Sequence, residues 1–193
     1  MCGRYLFKQN DDEELNNWIE TLSNSGQDVT NLATHEVFPS NHTITLDANL
    51  NPHIMIWGIP KWDNKGILIN ARTETAARSA FFQDHLKQRR CVIKVEGFYE
   101  WNTDKQKCLV QDENTEPLYL AAIYDDLPIP HFVILTMESS QSFKALHDRQ
   151  PLLISQSAIK AYIEDGYIKL DAFVQEKSNK LEWSNMDHQT SLF

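Results

Sequence analysis

The chain has 193 residues, 41% of them hydrophobic, with five tryptophans and a formal net charge of −9. That length supports one domain with a proper core. No apolar run approaches the roughly 20 residues that span a bilayer, and the acidic balance argues against a protein that coats nucleic acid by charge alone.

Residues 1–20 lack a cationic start followed by an apolar stretch, so no targeting segment is expected. The three cysteines, Cys2, Cys91 and Cys108, have no disulfide-framework or zinc-ligand spacing. A cytoplasmic, reducing setting follows. Charge is unevenly distributed: residues 1–97 carry 10 Lys and Arg against 12 Asp and Glu, and residues 98–193 carry 8 against 15. An anionic ligand is therefore expected to meet a local basic groove drawn largely from the first half, with Arg4, Lys61, Arg72, Arg78 and Arg149 as candidates.

The chain opens Met1-Cys2-Gly3-Arg4-Tyr5. A small residue at position 2 is a substrate for methionine removal, which would leave Cys2 first. An amino-terminal cysteine carries an amine of pKa about 8 and a thiol of about 8.5 on adjacent carbons. An aldehyde can form an imine with the amine, and the thiol can then close a thiazolidine ring.

Residues 2–8 read as a strand. Asn10 is placed to cap a helix, with Glu13 as its capping-box partner. Leu15, Trp18, Ile19 and Leu22 define that helix's buried face, and Gly26 ends it. Strands are expected at 42–48 and 53–58, with the turn at 49–52, and residues 60–66 form a loop. Within 57–62, Trp57 reads as core, whereas Trp62, between Lys61 and Asp63, is the better stacking candidate.

A strand at 67–71 runs into Asn70-Ala71-Arg72-Thr73-Glu74-Thr75 and a helix over 73–87. Capping by Thr73 does not account for Asn70 or Arg72. A strand at 91–96 precedes Gly97-Phe98-Tyr99-Glu100-Trp101, where Glu100 shares a face with Phe98. A carboxylate so placed is costly to bury, and burial moves it towards general acid–base use.

Further strands are expected at 107–111, 118–124 and 131–136, then a short helix at 140–146 and a loop at 147–150. That loop holds His147-Asp148-Arg149-Gln150-Pro151, which joins a histidine able to titrate near neutrality to an acid and an arginine. A strand at 151–154 and a helix over about 156–164, stopped by Gly166, complete the reading. Many strands with few helices give an α+β fold with a curved, mixed sheet or pseudo-barrel.

Taken in this order, Cys2-Gly3-Arg4-Tyr5, Trp57-Gly58 with Pro60, Asn70-Ala71-Arg72 with Glu74-Thr75, Gly97 to Trp101, and His147-Asp148-Arg149 with Pro151 resemble the SRAP family, the SOS response-associated peptidases or abasic-site-processing proteins. The resemblance runs from residue 2 to about 165. Residues 166–193 form a divergent tail of the one SRAP-like domain. Gln150 stands where the usual His-Asp-Arg pattern continues with Met, and the loop to Trp62 is one residue shorter than usual.

The resemblance implies a sensor of abasic sites in single-stranded DNA that crosslinks to the lesion through Cys2 and shields it during the response to DNA damage. It implies Cys2 as nucleophile with Asn70, Glu100 and His147 as catalytic partners, and Arg4, Arg72 and Thr136, with Trp62, at the DNA. Arg149 joins that set from the basic groove. An imine intermediate opens a lyase-like side reaction. No metal or organic cofactor is called for, no membrane partner is expected, and a monomer that joins the nucleoid when on DNA is the default expectation. Two other readings stay open at this point: a thiol peptidase using Cys2 with Glu100 and His147, and a non-covalent single-strand binding module.

Overall fold

The computed structural model describes residues 2–8, 13–63, 65–165, 170, 173 and 181–186. In chain order these form β1 (Tyr5–Leu6), α1 (Glu13–Asn24), β2 (Glu36–Val37), β3 (His42–Leu46), β4 (Pro52–Trp57), β5 (Ile59–Pro60), β6 (Ile67–Leu68) and β7 (Asn70–Arg72). They continue with α2 (Thr73–Ala76), α3 (Gln83–Gln88), β8 (Arg90–Val95), β9 (Gly97–Trp101), β10 (Lys107–Asp112), β11 (Leu118–Tyr124), β12 (His131–Glu138), β13 (Arg149–Pro151), α4 (Ile159–Glu164) and β14 (Leu181–Asn185).

Strands β11, β8, β3, β4 and β12 pair in that order, and β12 pairs again with β11, so the ring closes into a five-stranded barrel. The architecture is mixed α+β, as expected. Closure comes from one long strand with two working halves. The first half of β12 pairs with β4 (His131 opposite Ile56) and with β11 (Ile134 opposite Ala122). Its second half pairs with β7 (Thr136 opposite Arg72) and with β13 (Glu138 opposite Arg149). The barrel wall and the polar segments after it are therefore built on the same strand. The side chains of Phe132, Val133, Ile134 and Leu135 are fully buried on its two faces, which suits a strand covered on both sides.

A second sheet, in the order β14-β10-β9-β1-β2, is antiparallel throughout. It joins the barrel through Tyr5, whose ring lies 5.1 Å from that of Trp57 and whose hydroxyl donates to Thr43 Oγ1 at 3.2 Å. Trp57 stacks on Phe132 at 6.3 Å and donates from Nε1 to the Ile69 carbonyl at 3.0 Å. It is a core residue. Gly58 turns the chain out of β4 at φ 118°, and a Cβ there would meet Ile67 Cδ1 at 2.6 Å, so only glycine fits.

Helix α1 buries Leu15 and Leu22, packs Trp18 and Ile19 on the core, and is held by Glu14 to Lys94 Nζ at 2.7 Å. Asn10 and Gly166, the expected cap and stop, lie outside the described residues. The helix expected at 73–87 is broken into α2 and α3. The Ser79 hydroxyl accepts from Phe82 N at 3.3 Å and its carbonyl accepts from Gln83 N at 2.9 Å. This local turn competes with helix continuation.

The strand expected at 151–154 lies instead at Arg149–Pro151, where the chain pairs with β12, and beyond it only an isolated bridge from Leu153 to Leu120 remains. The loop expected at 60–66 begins as a strand, since Ile59 and Pro60 pair with Leu68 and Ile67. In the divergent tail, β14 adds an edge strand beside β10.

Gly97 begins β9 at a close approach of strands. A Cβ there would lie 2.5 Å from the Val110 carbonyl oxygen and 2.9 Å from Gln111 Cγ. Gly97→Ala is therefore expected to lower stability by about 1–3 kcal/mol, the usual cost of overpacking, measured by thermal or urea unfolding.

Candidate active site

The site forms where the two sheets meet. Residues 2–4 extend β1 along β9: Tyr99 N donates to the Arg4 carbonyl at 2.9 Å, and Tyr5 faces Phe98. From the barrel side, β7 presents Asn70, whose Nδ2 donates to the Cys2 carbonyl at 2.9 Å. Cys2 has no exposed surface, and its thiol points back to the Arg4 carbonyl at 3.7 Å. Asn70 Oδ1 is buried and accepts no hydrogen bond among the described residues.

Glu100 is 2% exposed. Its carboxyl therefore lies on the buried face it shares with Phe98. Burial raises its carboxyl above the ordinary carboxylate range, against the opposing pull of the amino-terminal charge and of His147. Burial also pushes the Cys2 thiol up, and the Glu100 charge pushes it further. The thiol is therefore held neutral, rather than carrying the useful thiolate fraction that an exposed cysteine would have near neutral pH.

His147 ends the turn between β12 and β13. Its Nδ1 accepts from the Arg149 backbone N at 2.9 Å, and the Ser139 hydroxyl donates to its carbonyl at 2.5 Å. His147 lines an open hollow of about 660 Å³ together with Arg72, Lys144, Ser139 and Arg149, with Glu138 and Asp148 completing the wall.

The remaining candidates fall in three places. Arg4 lies between two half-exposed rings, 4.2 Å from the Phe38 centroid and 5.5 Å from that of Trp101, and donates to Glu36 Oε1 at 3.1 Å. Arg72 is exposed at the rim of the hollow. Arg149 makes a two-pronged pair with Glu74, at 2.8 and 3.1 Å, and donates to the buried Thr136 through its carbonyl and hydroxyl oxygens at 2.7 and 3.2 Å. Thr136 is fully buried and contacts the Arg149 guanidinium. Trp62 is 90% exposed at the tip of the β5–β6 hairpin.

Cys2, Asn70, Glu100 and His147 are thus gathered at one junction, and Arg72 and Arg149 are gathered around the hollow. Phe38, Glu36 and Lys144 were not singled out from the sequence. Phe38 and Glu36 reach the site only through the β1–β2 pairing of Leu6 with Glu36, for which the sequence carries no local signal.

A family profile described as SOS response associated peptidase (SRAP) matches residues 1–190. The chain belongs to the SRAP family. The match passes well beyond residue 165 and includes β14. Among relatives, the abasic site processing protein YedK of Escherichia coli (strain K12) is 29% identical over 177 residues, covering 84% of this chain and 79% of YedK. The abasic site processing protein HMCES of Xenopus tropicalis is 26% identical over 151 residues, covering 59% of this chain and 45% of HMCES.

Two solved structures share the SRAP chain's fold. A protein from Bordetella bronchiseptica superposes with a TM-score of 0.73 at 15% identity, covering 95% of this chain and 99% of its own. One from Bacteroides thetaiotaomicron does so at 0.73 and 16%, covering 95% and 91%. Among the described residues, no cluster of metal-ligating side chains occurs and no helix is long and apolar enough to cross a membrane.

The Glu100 shift has a sign that can be checked. A carboxyl raised on folding binds its proton more tightly in the native state, so native stability declines as pH rises through the unfolded value of about 4.3 towards the raised folded one. Glu100→Gln removes that loss. The variant is expected to melt higher than the parent at pH 7, with the difference shrinking to nothing below about pH 4.

Proposed function

We propose that this protein processes abasic sites in single-stranded DNA, capturing the sugar aldehyde covalently at Cys2. The observation that carries the reading is the Asn70 hydrogen bond to the Cys2 carbonyl, which fixes the first residue of the processed chain beside Glu100. Membership of the SRAP family and relatives named abasic site processing protein support the same substrate.

The chemistry requires removal of Met1, so that Cys2 presents an amine. An abasic sugar is mostly a closed hemiacetal, and His147 moves the proton that opens it. The Cys2 amine adds to C1′ to give a carbinolamine, which loses water to form an imine. The Cys2 sulfur then adds to C1′, and the thiol proton ends on nitrogen, closing a thiazolidine with net loss of one water. Glu100 shuttles these protons, for which its raised carboxyl is suited.

A thiol held neutral by burial fits this order, with the amine attacking first and the sulfur second. It fits less well with a peptidase that needs a standing thiolate. Holding both nucleophiles at one carbon is chiefly a proximity effect, worth up to about 7–11 kcal/mol in favourable cases.

Arg4, Arg72 and Arg149 serve the flanking phosphates, Thr136 braces Arg149, and the exposed Trp62 offers a ring to an unpaired base. The encounter is then salt-sensitive and the product salt-resistant. The imine acidifies C2′, which allows strand cleavage by β-elimination as a side reaction. Monomeric action in the cytoplasm, at the nucleoid when DNA is bound, accords with this reading.

The test is intact mass after mixing the Met-processed protein with a single-stranded oligonucleotide carrying one abasic site. The expected species survives denaturation, weighs protein plus DNA minus one water, and is absent with Cys2→Ala. Cys2→Ser is expected to trade stable adduct for strand nicking. Persistence of the adduct in Cys2→Ala would sink the reading.

A further inference from the structure

The Glu74–Arg149 pair sits outside the four proposed catalytic residues, yet it is a two-pronged ionic contact close to them. Glu74 Oε1 accepts from Arg149 Nη1 at 2.8 Å and from the Glu138 backbone N at 3.2 Å, and Oε2 accepts from Arg149 Nη2 at 3.1 Å. Burial would raise the Glu74 carboxyl, but the Arg149 hydrogen bonds and charge outweigh it and hold the carboxyl below its usual range. The guanidinium is further tied to the Thr136 carbonyl at 2.7 Å. One acid from the first turn of α2 therefore clasps the end of β12 and the start of β13 together.

The consequence lies two residues back along the chain. The backbone N–H of Arg149 points at His147 Nδ1 from 2.9 Å. The Arg149 carbonyl is 3.2 Å from the same nitrogen and would be its acceptor if Nδ1 carried hydrogen. The two arrangements exclude each other. A backbone N–H cannot surrender its hydrogen, and its contact is the shorter, so the neutral ring accepts at Nδ1 and carries its proton at Nε2. Gln150 supports the other side of the turn, its Oε1 accepting from Ser140 N at 2.8 Å.

We propose that Glu74 is a positioning residue. By clamping Arg149 it keeps the Arg149 N–H on His147 Nδ1, and so selects the Nε2-protonated ring for the proton transfer that opens the abasic sugar. Glu74 touches neither substrate nor reacting atoms in this role. The role in catalysis rests on the proposed abasic-site reading, whereas the selection of tautomer does not.

A second consequence separates this role from a merely structural one. Glu74 places a negative charge beside the basic hollow, where it opposes phosphate. Removing it should harm the reaction without weakening DNA binding.

The test compares parent, Glu74→Ala and Glu74→Gln in 15N-labelled, Met-processed protein. Imidazole 15N shifts report the His147 tautomer. Capture of an abasic single-stranded oligonucleotide gives the rate at saturation and the apparent Kd. Expected for the parent is unprotonated Nδ1 and protonated Nε2. Glu74→Ala should move His147 to a mixture of tautomers. It should slow capture at saturation about tenfold, part of the roughly 10²–10⁴ that a positioned acid–base group contributes. It should leave Kd unchanged or about twofold tighter. Glu74→Gln, which keeps the shape and one acceptor oxygen, should fall between.

An unchanged tautomer in Glu74→Ala overturns the proposal, and so does an unchanged rate. A parallel loss of rate, affinity and melting temperature in both variants also overturns it, in favour of a purely structural role. If the parent captures no DNA, the functional reading fails and the 15N shifts alone decide the positioning claim.

Discussion

Burying the start of a chain is the constraint on which the rest of this structure depends. Termini are usually loose, because their backbone groups are simplest to satisfy with water. Here the first described residues are in the interior, and each polar group must find a protein partner. The Cys2 carbonyl takes Asn70 Nδ2, the Arg4 carbonyl takes Tyr99 N, the Leu6 carbonyl takes Glu96 N, and Phe7 N donates to the His35 carbonyl. These four partners come from three separate stretches of chain, around residues 35, 70 and 96–99. The same bonds that make burial tolerable draw β7 and β9 to the amino terminus, and with them Asn70 and Glu100.

The shared strand β12 explains how one small fold brings rigid wall and reactive edge together. Its first half completes the barrel, and its second half leaves the ring to carry β7 on one side and β13 on the other. Positions around the hollow are thus set by hydrogen-bonded register rather than by loop conformation. Burial then does chemical work. Low polarity around Cys2 and Glu100 raises both the thiol and the carboxyl above their ordinary values, the change that the proposed proton transfers call for.

How much of this could be read from residues alone depended on range. The i, i+3, i+4, i+7 spacing of Leu15, Trp18, Ile19 and Leu22 suffices for α1, because the helix period is local. The burial of Glu100 is also legible, since alternation puts it on the face of Phe98. The break between α2 and α3 is not, because Ser79 is an acceptable helix residue until its hydroxyl turns back on Phe82. Strands β2 and β5 are two residues long and exist only through their partners. The pairing of Arg149 with Glu74 spans 75 positions and has no local trace. Residues that looked like separate basic candidates are distinguished by their partners: Arg149 is clasped by an acid, Arg4 is sandwiched by rings and tied to Glu36, and Arg72 stands exposed at the rim.

The placement of β1 also has a consequence in time. Between β2 and β9, it is an interior strand of its sheet, and its partner β9 lies about ninety residues downstream in synthesis order. At about 5–20 residues per second, the ribosome takes roughly 5–20 s to make that stretch. Until then the amino terminus has only the two-residue β2 to pair with, and on the proposed chemistry this is the interval for trimming Met1. Once β9 arrives, Cys2 can take its buried place beside it. On the proposed chemistry, maturation of the nucleophile is scheduled by the topology itself: trimming comes first, and folding then closes the door behind it.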